Sequence, residues 1–263
     1  MKKVLPLILL AIFFTACSSV MLTGRKQLNL VSDAEINAMS FQSYKQFIDS
    51  VPLSTSKTNT AMVKRVGTNI ANAVETYMKA NGYEADIANF AWEFNLVKDT
   101  SVNAFCMPGG KVVAFEGILP KTLTESGMAV VMGHEIAHAV ARHSSERLSQ
   151  QMMLQYGSAL TGVLLSGKSA AVQQGIGALY GIGAQLGVLL PYSRKQEYEA
   201  DKLGLIFMAM AGYNPTDALS FWQRMSADKS GSVSDFMSTH PSDEKRIARL
   251  QEELPAAMAY YKK

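Results

Sequence analysis

Residues 134–138 read His-Glu-Ile-Ala-His. On a helix, His134 and His138 lie one turn apart and point the same way, so both imidazoles can reach a single metal ion. Glu135 sits beside them, close enough to take a proton from a water that attacks a substrate at that ion. The chemistry open to such a set is zinc-assisted hydrolysis. A catalytic zinc normally takes three protein ligands and keeps one position open, so a third ligand must come from another element. The best candidate is Glu197, in Gln196-Glu-Tyr-Glu-Ala-Asp201. Glu197 and Asp201 are spaced i, i+4 and share a helix face, while Glu199 points roughly the opposite way. Glu197 is expected to ligate the metal. Asp201 is expected to accept a hydrogen bond from the far nitrogen of a ligating histidine and so fix its tautomer.

The surrounding residues say what must hold this set in place. Val130, Val131, Ile136, Ala137, Val140 and Ala141 imply a helix buried on most sides, with start signals at Thr124, Glu125, Ser126 and Gly127. Imidazoles and a carboxylate inside such a helix need partners, and one zinc ion satisfies all three. His143, if the helix ran on, would project roughly 180° from His134 and roughly 140° from His138, so it is expected to be structural. Upstream, 32–50 and 59–81 have helical periodicity, the first opened by the capping box Ser32-Asp-Ala-Glu35. Trp92 to Lys98 alternates as a strand does, and Val102–Met107 and Lys111–Phe115 read as two more strands around Pro108-Gly-Gly110. The glycine-rich stretch 152–190 reads as two amphipathic helices with a turn at 166–169. They are expected to pack in the core, cover the cleft or touch lipid.

With 263 residues, 48% of them hydrophobic, the chain can bury a real core. A formal charge of +3 without a notable basic run gives no argument for nucleic acid. Met1-Lys-Lys3, the apolar stretch Val4 to Phe14 and Phe14-Thr-Ala-Cys17 resemble a bacterial signal peptide ending in a lipobox. Residues 1–16 are therefore expected to be removed, Cys17 to carry lipid, and 17–30 to be a lipid-anchored linker. The alternative is an ordinary secreted protein cut near Ala16. Ser18 and Ser19 favour an outer-membrane address. Cys106 then lacks an intramolecular partner and reads as an inert buried thiol.

Taken in order, His134-Glu-x-x-His138, Glu197-x-x-x-Asp201, Tyr192-Ser-Arg194, His240-Pro241, Thr23-Gly-Arg-Lys-Gln-Leu28, Val102-Asn-Ala-Phe105, Pro108-Gly-Gly110 and Arg142-His143 span nearly all of the mature chain. The pattern resembles the gluzincin metallopeptidases that include the HtpX, Oma-type and CAAX prenyl endopeptidases. Within that family it is most similar to periplasmic lipoprotein members of the BepA and LoiP kind. The resemblance implies an α+β, mainly helical, zincin-like domain over 31–255, with a small sheet above the active-site helix and a short tail at 256–263. It implies one Zn2+ per chain, held by His134, His138 and Glu197. Asn103 and Ala104 would lie nearest an extended polypeptide substrate paired to a strand edge. His240, on a polar loop 238–241, would approach the zinc either as an oxyanion stabiliser or as an occupant of the open site in a self-inhibited state. Arg246 would donate in the same place. The partners implied are polypeptides of the cell envelope and a membrane reached through the lipid anchor, on the periplasmic face of the outer membrane. A chaperone-like lipoprotein and a hydrolase of non-peptide amides stay open as other readings.

Overall fold

The structure, a computed structural model, describes residues 17–153, 193–228, 233–240 and 244–262. The leader and both expected amphipathic helices of 152–190, beyond residue 153, lie outside the described residues.

Strand β1 (Cys17–Ser19) pairs antiparallel with β2 (Lys26–Leu28). Between them Val20 and Met21 are buried in the main core. The segment 17–30 is thus folded against the body where the sequence suggested a linker, because Val20, Met21, Leu22 and Arg25 find partners there. Helix α1 (Asp33–Ser50) starts with the expected capping box: the Ser32 hydroxyl accepts from the Glu35 amide while the Glu35 carboxylate accepts from the Ser32 amide. Helix α2 (Lys57–Ala80) follows a Ser56 cap and buries Val63, Val66, Ile70, Val74 and Met78, the one-sided spacing of a core-facing helix.

Strands β3 (Glu93–Val97), β4 (Ala104–Met107) and β5 (Lys111–Phe115) make a sheet of order β3-β5-β4, with β3 parallel and β4 antiparallel to β5. Strand β4 is therefore an edge. Its Ala104 and Cys106 side chains face inward, and the strand packs on α3 (Glu125–Val140).

Helix α3 opens at Thr124, whose hydroxyl accepts the Gly127 amide proton at 3.1 Å. Every residue from Gly127 to Val140 is buried. Its main partner is α4 (Arg194–Met210), capped by the reciprocal Ser193–Gln196 pair. Helices α5 (Asp217–Ala227), α6 (Ser234–Thr239) and α7 (Glu244–Met258) close the remaining side. Helix α7 continues past the expected domain end at 255, burying Ala257, and Tyr260 meets Tyr77 edge-on at 5.6 Å, so the start of the tail is part of the fold. The fold is α+β and mainly helical, as the sequence implied. No helix among the described residues is long and apolar enough to cross a membrane.

The α3–α4 contact fixes the site. A Cβ on Gly204 would stand 3.0 Å from the backbone of Gly133 and of His134, and one on Gly133 would meet the Gly204 carbonyl at 3.0 Å. Two glycines thus let the helices approach backbone to backbone. Gly204→Val should push them apart and cost about 1–3 kcal/mol in urea unfolding, with weaker metal uptake because α4 carries Glu197; unchanged stability would show that the close approach is dispensable.

Candidate metal centre

Helix α3 presents His134 and His138 one turn apart, and α4 brings Glu197 against them from its first turn. The two Nε2 atoms lie 3.0 Å apart. Glu197 Oε2 is 3.4 Å from His134 Nε2, and Oε1 is 3.3 Å from His138 Nε2. A fourth group joins them: His240 Nδ1 is 3.1 Å from His134 Nε2 and 3.2 Å from Glu197 Oε1. One ligand atom from each of the four residues falls within 4.8 Å of every other, and all four residues are buried.

These spacings test whether a metal fits. A tetrahedral ion about 2.0–2.1 Å from each ligand holds the ligand atoms roughly 3.3 Å apart, close to the separations found. Neighbouring imidazole nitrogens at 3.0 and 3.1 Å turn lone pairs toward one another unless protons or a cation intervene. Glu197 Oε2 and Glu135 Oε1 are buried without a well-formed hydrogen bond. Arg246 Nη1 lies 2.9 Å from that Glu197 oxygen, so its charge is partly matched although the hydrogen-bond geometry is poor. The residues fit a divalent ion bound by nitrogen and oxygen.

The charge balance points the same way. Burial lowers the His138 pKa well below the imidazole range, which keeps a lone pair available. Burial would also lower His134, but hydrogen bonds with Asp201 and Glu197 reverse this and raise it. Glu197 is held well below the carboxylate range, since its close contacts with the imidazoles of His134, His138 and His240 outweigh its desolvation. Glu135, adjacent to the cluster, is pushed up by burial to about 7. Its Oε1 lies 3.3 Å from His240 Nε2.

Asp201, one turn beyond Glu197, places Oδ1 3.0 Å from His134 Nδ1. Arg246 clamps it with two parallel bonds of 2.7 Å, and its guanidinium stacks 3.5 Å from the Trp222 ring. Desolvation alone would raise Asp201 and lower Arg246; their mutual attraction reverses both. The sequence reading sent Arg246 toward a substrate oxyanion. Here its Nε, Nη1 and Nη2 are engaged by Asp201 and Glu197, so it braces two carboxylates. His240 also differs from expectation: it is the C-cap of α6, its amide donating to Phe236, and 238–239 belong to that helix.

The helical-wheel position of His143 does not hold either. Helix α3 ends at Val140, and Arg142 takes a left-handed φ of 58° while its side chain pairs with Asp33 and Asp86. That turn brings His143 back, with Nδ1 2.8 Å from His138 Nδ1 and Nε2 3.0 Å from Glu199 Oε2. Glu199 does face away from Glu197, but into a second, partly buried cluster with Arg25, Thr23 and Glu146. The matches at 23–28 and 142–143 were the available signal for it.

Asn103 immediately precedes the edge strand and Ala104 begins it. The Asn103 carbonyl accepts from Phe115, so the Ala104 amide in the same peptide points to the open edge, where Asn103 Oδ1 receives it at 2.9 Å. Cys106 is buried, and desolvation with the nearby Glu135 charge raises its thiol well above the usual range, the behaviour of an inert cysteine. Side-chain placement at Cys17 lies outside the described residues.

The profile of peptidase family M48 matches residues 58–254. Mitochondrial metalloendopeptidase OMA1 of Schizosaccharomyces pombe is 35% identical over 250 residues, covering 93% of this chain and 68% of the relative. The human mitochondrial metalloendopeptidase OMA1 is 27% identical over 96% of this chain and 48% of its own length. The beta-barrel assembly-enhancing protease of Escherichia coli is 30% identical over 60% of this chain and 33% of its own. The chain belongs to peptidase family M48.

Arg246→Met keeps the bulk against Trp222 but leaves Asp201 and Glu197 without their buried cation. Unfolding of the metal-free variant in urea should show a loss of about 3–5 kcal/mol; a loss within the scatter of surface substitutions would mean that the clamp is idle.

Proposed function

We propose that this M48 peptidase is a zinc-dependent endopeptidase of the bacterial cell envelope. It would be held by lipid on Cys17 at the periplasmic face of the outer membrane and cleave misfolded or membrane-associated proteins there. The observation that carries the reading is the meeting of the Glu197 carboxylate with both imidazoles, Oε2 3.4 Å from His134 Nε2 and Oε1 3.3 Å from His138 Nε2, while the two Nε2 atoms lie 3.0 Å apart. The leader ending in Thr15-Ala-Cys17 supports the envelope address. Relatives whose names describe metalloendopeptidases and a beta-barrel assembly-enhancing protease support the substrate class.

His134, His138 and Glu197 would hold the zinc. When bound, zinc supplies Lewis acidity that polarises a scissile carbonyl and acidifies water. Glu135 takes the proton from the attacking water and returns it to the leaving amine; its desolvated carboxyl suits both steps. Asp201, braced by Arg246, holds His134 with its Nδ1 proton outward and its Nε2 lone pair toward the metal. The open edge of β4 at Asn103 and Ala104 would take the substrate backbone, once the Asn103 side chain releases the Ala104 amide.

His240 favours a second, related state. With Nδ1 at the fourth corner of the cluster and Nε2 beside Glu135, it stands where water and substrate would enter. We read this arrangement as self-inhibited, in line with a chaperone-like lipoprotein of restrained protease activity. Displacement of His240 would open the site.

The mature chain should contain one zinc and cleave an unfolded polypeptide, with both lost to a chelator. Glu135→Gln should keep zinc and lose cleavage by about a hundredfold or more. Glu197→Ala should lose zinc. His240→Ala should raise cleavage if it restrains the site; a fall would assign it to catalysis instead. Zinc-free protein with undiminished proteolysis would refute the reading.

A further inference from the structure

The two histidines of α3 are braced in different ways. His134 meets its carboxylate, Asp201, directly, whereas His138 meets another imidazole. Behind that imidazole stands Glu199, whose Oε2 accepts from Arg25 Nε at 2.7 Å and whose Oε1 accepts from the Thr23 hydroxyl. Resting on the metal-site reading above, we propose that His143, Glu199 and Arg25 are positioning residues that fix the tautomer of His138, and that the segment 23–25 is in this way part of the metal centre.

The direction of each hydrogen bond follows from donor and acceptor chemistry. A carboxylate only accepts. Glu199 Oε2, 3.0 Å from His143 Nε2, therefore requires the proton on that nitrogen. A neutral His143 then has a bare Nδ1, which lies 2.8 Å from His138 Nδ1 and must accept from it. His138 thus carries its proton on Nδ1, and its Nε2 lone pair is left facing His134 Nε2 and Glu197 Oε1. The same tautomer results at His134, where Asp201 accepts from Nδ1. Each ligand histidine is oriented by a carboxylate that an arginine holds: Arg246 for Asp201, Arg25 for Glu199.

Arg25 comes from a different part of the chain from every other member of the relay except Thr23. Its Nη1 and Nη2 reach Glu146 at 2.9 and 2.7 Å, and Glu146 also accepts from Gln196 at 2.8 Å, in the capping box of α4. One guanidinium thereby joins the N-terminal hairpin, the helical run 143–153 and the helix that carries Glu197. The relay is almost dry: His143 is fully buried and the Arg25 side chain only a quarter exposed. The segment leaving Cys17 is accordingly more than a tether.

The test uses the mature chain, with zinc affinity read by chelator competition and the visible spectrum of the cobalt(II)-loaded protein as a report on ligand geometry. Arg25→Ala and His143→Leu should each weaken zinc binding by about tenfold or more and shift the cobalt bands, the usual consequence of removing a partner that orients a ligand. Arg25→Lys, which can hold Glu199 but not bridge to Glu146, should recover part of the affinity. Ser149→Ala removes the hydroxyl that accepts the Leu30 amide at 2.9 Å, so it loosens the same N-terminal segment without touching the relay. It should lower Tm and leave zinc affinity and the cobalt spectrum unchanged. Should His143→Leu not fold, Arg25→Ala decides, since its side chain is partly exposed. Folded Arg25→Ala protein with the affinity and spectrum of the unsubstituted chain overturns the relay alone. An unsubstituted chain that takes up neither zinc nor cobalt overturns the metal reading and the relay with it.

Discussion

Buried charge is the constraint on which this structure depends. Three imidazoles and the carboxylates of Glu135, Glu197 and Asp201 converge inside a helical core with almost no access to water. Uncompensated, each ionised group would carry several kcal/mol of desolvation. The compensation is layered: a site whose geometry suits a divalent ion, then histidine-to-carboxylate bonds, then two arginines on the outside. Removing any layer leaves the next one exposed to the low dielectric of the interior.

The fold serves this arrangement through rigidity. All of the cluster except His240 stands on two long helices in backbone contact at Gly133 and Gly204, which leaves little freedom in the distance between the histidine pair and Glu197. The sheet packs on the same helix through β4, an edge strand whose Cys106 feels the nearby Glu135. His240 is different in kind, since it caps a short helix and reaches the cluster from outside the α3–α4 pair.

Much of this was legible in the sequence because the signals are local. Helical periodicity puts His134 and His138 on one face of their helix and Glu197 and Asp201 on one face of theirs, and the caps at Ser32 and Thr124 are encoded within a few residues. The three strands follow from alternation and from Pro108-Gly-Gly110. What was not legible depends on contacts between distant segments. The pairing of Arg25 with Glu146 and Glu199, and the stacking of Arg246 on Trp222, have no spacing rule. His143 shows a third kind of limit: extrapolating the helix past Val140 misplaced it, since a left-handed Arg142 ends the period. The segment 17–30 read as a linker because it follows the lipobox, yet Val20, Met21, Leu22 and Arg25 dock it against the body.

X-ray absorption at the zinc edge of the metal-loaded protein addresses the central claim most directly. The loaded protein should show one zinc in a nitrogen and oxygen shell at about 2.0–2.1 Å, with the outer-shell scattering of at least two imidazoles and no sulfur. A sulfur scatterer, or an all-oxygen shell without imidazole, would contradict it.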